Sequence, residues 1–132
     1  MLAIIFGLFL ILHGMVHLLY AGHSWGLFEL RPEMTWPKES WLVSNLLGDS
    51  SIRLLATTML VITTLGFVTG GLGLFLQADW WRSVTVISAV FSSLLFFVLW
   101  NGKFQALDDQ GGIGVLINLA ILVLTLVFNW PI

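Results

Sequence analysis

The chain reads as an all-helical integral membrane protein, a four-helix bundle of up-down-up-down topology forming one transmembrane domain over residues 1–132. Three observations predict this. The 132 residues are 58% hydrophobic and only 9% charged, where a soluble domain carries roughly 25% charged residues, and mean hydropathy is +1.00. Four apolar segments stand out, each in the range of ~17–25 residues that carries a helix across a hydrocarbon layer. Two of the three connections between them are short, which makes sequential helices antiparallel neighbours.

The first helix is expected at about 2–20, within MLAIIFGLFLILHGMVHLLY, and no charged residue occurs before Glu29. A basic n-region and a small-residue cleavage site are both missing, and the apolar run is too long for a secretory leader. The expectation is therefore a retained first helix. The second helix is expected at 52–76, the third at 84–100 and the fourth at 113–130. QADWWRS at 77–83 makes a tight hairpin of the second and third, and NGKFQALDDQGG at 101–112 joins the third and fourth.

The exception is a partly ordered loop of about thirty residues, 21–51. It carries Trp25, Trp36 and Trp41 beside Phe28 and Leu30, a composition suited to the membrane–water interface. Pro32 and Pro37 block a continuous helix. Beyond them, KESWLVSNLLG predicts a short interfacial helix with Gly48 as its C-cap. Trp80, Trp81 and Trp130 at one end, with Trp100 at the other, are expected as aromatic belts.

With four crossings, both termini and the 77–83 turn share one side, and the 21–51 and 101–112 loops share the other. The termini side holds Arg82 alone; the loop side holds Arg31, Lys38, Arg53 and Lys103. The positive-inside bias places both loops in the cytoplasm. These scattered charges form no basic patch for nucleic acid and no polybasic lipid anchor. Without cysteine, thiolate catalysis, iron–sulfur clusters and Cys-based zinc sites are excluded.

Packing signals lie on the second and third helices. Gly66 and Gly70 form a G-x-x-x-G pair, with Gly71 and Gly73 close behind, and Ser88 and Ser92 share that spacing on the third helix. Small residues so placed let helix backbones approach, and the two faces are expected to meet within the hairpin; a glycine-mediated homodimer is the rival.

The candidate site starts from His13 and His17, one turn apart on one face. An ionisable group in lipid is costly, so it usually faces the protein interior and is a functional candidate. His13 falls near mid-membrane and His17 one turn toward the loop side. Tyr20 continues the stripe, Asn118 matches the depth of His17, Thr57 lies one to two turns into the second helix, and Trp100 ends the third. Glu29, Glu33, Glu39, Asp49, Asp108 and Asp109 follow on the loop side. The pattern predicts a polar-mouthed cavity open to that side.

Four readings of the histidines stay open. Two His at i, i+4 could begin a metal site completed by Asp108, Asp109 or a glutamate of the long loop, although no H-E-x-x-H is present. Haem would need a second chain, because both histidines share one helix. A neutral His also suits hydrogen bonding or proton exchange with a lipid-like or quinone-like molecule. The plainest reading is that each ring bonds across helices and fixes packing.

LHGMVHLLY, the WWR turn and DDQGGIGVLINLAILVL together resemble small uncharacterised four-helix bacterial membrane proteins grouped with the DoxX-like families. The resemblance implies a prokaryotic inner membrane and an occasional association with quinone or redox partners, and it carries no residue roles. The function expected is a small membrane protein that binds a lipid-like or quinone-like molecule in the loop-side cavity, or an accessory subunit of a larger membrane complex. A His-dependent, metal-using enzyme and a dimeric small-molecule transporter are the alternatives.

Overall fold

A computed structural model describes residues 1–31, 34–104 and 110–131. Those residues form helices and turns, in the order α1 (Leu2–Trp25), α2 (Asp49–Phe75), α3 (Trp81–Leu99) and α4 (Gly112–Leu122), the last continued by a wider helical turn at Val123–Val127. The all-helical up-down-up-down bundle is as the sequence predicts. α1, α2 and α3 are each long and apolar enough to cross a membrane, and α4 with its wide turn forms a shorter apolar helix.

Helix ends differ from the expected bounds for identifiable reasons. α1 runs five residues further, because no breaker intervenes before Gly26, whose φ of 92° ends the helix in the left-handed region. Only glycine holds that conformation cheaply. The N–H of Leu27 donates to Gly22 O at 2.9 Å, satisfying one terminal carbonyl. Arg53 on α2 satisfies two more: its Nε–H donates to Ser24 O and its Nη2–H to Trp25 O, each at 2.8 Å. His23 therefore belongs to the helix, where a loop position was expected.

The interfacial helix expected over 38–48 is absent. That stretch forms successive turns, and Gly48 caps the start of α2 instead of ending a helix. The reason is competition from the end of α3, whose last carbonyls have no partner within their own helix. The Ser40 hydroxyl donates to Val98 O, the Trp41 N–H to Trp100 O at 2.8 Å, and the Trp41 indole to Phe97 O at 2.7 Å. Ser40 also accepts from the N–H groups of Leu42 and Val43. The loop is thus a cap for α3. Expected at the interface, Trp36 is instead 1% exposed, packed between Tyr20 and Phe96 and fixed by His23, whose Nε2–H donates to Trp36 O at 2.9 Å.

α4 stops short of residue 130. The chain leaves the helix at Phe128, and Asn129 takes a φ of 53° before Pro131. Arg82 secures this end by donating to Thr125 O at 2.6 Å and to the Asn129 side chain. Trp81 is buried beside Phe6 rather than sitting in an aromatic belt, while Trp80 stays exposed.

The glycine and serine faces of α2 and α3 meet as expected. A Cβ on Gly66 would strike the Ser88 hydroxyl, and one on Gly70 would strike Thr85. The same helix uses its other side on α1, where a Cβ on Gly71 would lie 2.7 Å from Gly7 O. Along the outside of the bundle, Leu12, Leu65, Ile87, Leu94 and Leu116 are exposed, a surface suited to lipid tails rather than water.

Candidate functional site

His13 and His17 both point into the bundle, 6% and 3% exposed. Around them the bundle builds a closed polar network from three helices. His13 Nε2–H donates to Asn118 Oδ1 on α4 at 2.7 Å. The Asn118 amide then donates to Ser92 Oγ at 2.9 Å and Ser93 Oγ at 3.2 Å on α3. The Ser92 hydroxyl donates to His17 Nε2 at 2.7 Å, and His17 Nδ1–H donates back to His13 O at 2.9 Å.

Each donor in this ring faces an acceptor, so the directions define one another. His17 Nδ1 can only donate to the His13 carbonyl, so in the neutral ring Nε2 accepts from Ser92, and Asn118 has its oxygen toward His13. In hydrocarbon an unpaired polar group costs several kcal/mol, and the ring pairs both nitrogens of His17, Nε2 of His13 and both ends of the Asn118 amide. Aromatic walls seal it: Phe67 lies 4.8 Å from the His13 ring centre and 5.4 Å from that of His17, with Phe96 at 5.8 Å from His17. Thr64 ties α2 to the same level by donating to Gly14 O, also within reach of Leu60 O.

Of the six residues expected to line one cavity, the structure brings His13, His17 and Asn118 together and separates the other three. Tyr20 lies a turn nearer the loop side, edge-on to Trp36 and Phe96. Thr57 faces the end of α1, with its hydroxyl 2.7 Å from Arg53 O and 3.1 Å from Ser24 Oγ; it lines an apolar α1–α2 groove of about 610 Å³. Trp100 caps the end of α3 away from the ring, half-buried, its indole donating to Lys103 O at 3.0 Å. Asp108, the expected third metal ligand, falls outside the described residues, and among those described no three His, Asp or Glu side chains gather.

Asp108 and Asp109, expected at the mouth of the cavity, lie outside the described residues. Neither histidine lines the adjoining space, a cleft of about 500 Å³ between α3 and α4. Ser93, Phe96, Phe97 and Trp100 form one wall, and Gln110, Ile113 and Leu116 are on the other. Gly111, at φ 88°, starts α4 with no room for a Cβ against the Phe96 ring, which sets the upper edge of the cleft. Its lining is apolar apart from a few groups, and Ser93 links it to the buried network through Asn118.

Ser92, Ser93 and Gln110 are the residues that sequence reasoning missed. Ser92 was legible as a packing residue, and its spacing from Asn118 in depth was the signal for more. Gln110, between Asp109 and Gly111, reads as part of a polar turn, and nothing in the sequence marks it as buried. No protein-family model, curated protein or solved structure matches the chain.

Proposed function

We propose that this is a small integral membrane protein that holds a lipid-like or quinone-like amphiphile in the α3–α4 cleft. The observation that carries the reading is the cleft itself, about 500 Å³ and walled by Phe96, Phe97, Trp100, Ile113 and Leu116. That volume lies within the ~300–1,000 Å³ of small-molecule sites, which combine apolar walls with a few polar groups. Exposed Phe97 and Ile113 on its rim leave it accessible from the side, the direction from which a membrane-dissolved molecule arrives. The His–Asn–Ser ring braces α1, α3 and α4 behind the cleft and keeps its back wall in place.

The protein belongs, on this proposal, in a prokaryotic inner membrane with residues 21–51 and 101–112 on the cytoplasmic side, in keeping with its resemblance to DoxX-like proteins. Native mass spectrometry of protein purified in mild detergent tests the binding. The expected result is a co-purified amphiphile that is lost when Ile113→Trp fills the cleft from its exposed rim. His17→Leu should retain the molecule and lower the melting temperature, since His17 braces the bundle and does not line the cleft. Protein that carries no amphiphile, or an Ile113→Trp variant that still carries it, overturns the proposal.

A further inference from the structure

Gln110 is a buried amide whose one hydrogen bond among the described residues is made at its oxygen. It is 4% exposed and it lines the α3–α4 cleft. The backbone N–H of Asn101 donates to Gln110 Oε1 at 2.8 Å. A backbone N–H can only donate, so the oxygen must lie on that side and the NH2 on the other. That NH2 has two donor hydrogens and no hydrogen-bond partner among the described residues. Because Gln110 lines the cleft, this donor is available to an acceptor that enters it.

The remaining lining narrows the acceptor. No charged side chain lines the cleft among the described residues, so a carboxylate or phosphate placed against Gln110 would be an unpaired ion in an apolar site. Besides the Trp100 indole, which is committed to Lys103 O, Ser93 Oγ is the other polar side-chain group on the wall. Its hydroxyl donates to Ala89 O at 2.8 Å, a bond to its own helix that can be exchanged for one to a ligand. Donors without charge, set in aromatic walls, fit an uncharged oxygen acceptor on an apolar body.

Resting on the cleft reading above, we infer that Gln110 is the head-group reader of the cleft and selects an uncharged, carbonyl-bearing amphiphile over an anionic one. The Gln110 NH2 donates to the ligand carbonyl at the loop-side mouth, and the apolar body runs between Phe97 and Leu116.

A matched pair of probes tests this: dibrominated stearic acid and its methyl ester, which share a tail and differ in head-group charge. Bromine quenches nearby tryptophan fluorescence, and Trp100 lines the cleft; Trp100→Phe identifies its share of the signal. At about pH 9, well above carboxylic acid pKa values, the ester should bind about tenfold or more tightly than the ionised acid. Gln110→Leu should weaken the ester about tenfold. Gln110→Glu should do the same, since it keeps the acceptor for Asn101 and removes the donor.

If the ester fails to quench Trp100 in the unaltered protein, the cleft reading itself falls. If the ester binds and both Gln110 variants bind it equally well, the cleft stands and the assignment of Gln110 is overturned. Equal binding of acid and ester overturns the selection against charge. Should Gln110→Leu fail to fold, Gln110→Glu and the ester–acid comparison in the unaltered protein still decide.

Discussion

At the scale of single residues, the buried ring of His13, Asn118, Ser92 and His17 is expected to behave as a unit, because each member bonds the next and His17 closes the circuit on His13 O. Removing one member exposes that dependence. Asn118→Leu deletes the acceptor of His13 and the donor to Ser92 and Ser93. Unmade buried bonds cost about 1–3 kcal/mol each, while side-chain bonds between helices in lipid contribute about 0.6–2 kcal/mol. The expected loss is about 2 kcal/mol, read as a lower melting temperature in detergent. Ser93→Ala should be nearly silent, since Asn118 retains Ser92. Combining Asn118→Leu with His13→Leu should cost less than the two single losses together, as removing both partners of a bond leaves no orphan. Strict additivity would show that the ring is four separate contacts.

Helices pack here by the small residues they place opposite one another, and this scale separates glycines that matter from those that do not. Gly14 and Gly71 sit where α1 and α2 touch backbone to backbone. A Cβ on Gly71 would meet Gly7 O at 2.7 Å and Ile11 Cγ1 at 2.8 Å; one on Gly14 would meet the Phe67 Cβ at 2.8 Å. Gly114 on α4 has open space around it. Gly71→Ala should therefore destabilise by about 1–3 kcal/mol, the range for overpacking a close contact. Gly114→Ala should be neutral or stabilising by up to about 1 kcal/mol through helix propensity. Thermal unfolding of the two variants in the same detergent checks the contrast, and equal effects would refute the assigned contact.

Legibility from sequence also divides at the element scale. Helix number, order and the α2–α3 glycine–serine contact follow from apolar length and small-residue spacing, which are local properties. The inward direction of His13 and His17 follows from the cost of polar groups in lipid. The loop did not follow, because KESWLVSNLLG has a helical pattern by itself and is claimed by the open carbonyls of Phe97, Val98 and Trp100. Those partners are more than fifty residues away in sequence. Trp36 was missed for the same reason, since Tyr20 and Phe96 from two helices pack against it. Gln110 was missed because its bond to the Asn101 N–H, nine residues earlier, follows no local pattern.

Across the whole molecule, two arginines at opposite ends of the bundle serve as helix caps. Arg53 closes α1, Arg82 closes α4, and Arg82 is the single Lys or Arg on its side. Together with Arg31, Lys38 and Lys103, Arg53 gives the loop end four Lys and Arg residues to one at the other end, the bias on which the proposed cytoplasmic placement rests. The chain has no natural cysteine, so single cysteines report sides without background. Leu46 and Phe104 are 74% and 77% exposed, and Gln77 is exposed in the α2–α3 turn. On the proposed orientation, a membrane-impermeant maleimide added to intact cells with a permeable outer envelope should label Gln77→Cys. Leu46→Cys and Phe104→Cys should react only once the inner membrane is opened. The reverse pattern would invert the orientation and leave the bundle intact. Labelling of Gln77→Cys and Leu46→Cys from one side would contradict the up-down path itself, because α2 alone separates those positions and, at 27 residues and ~1.5 Å per residue, it is long enough to cross once.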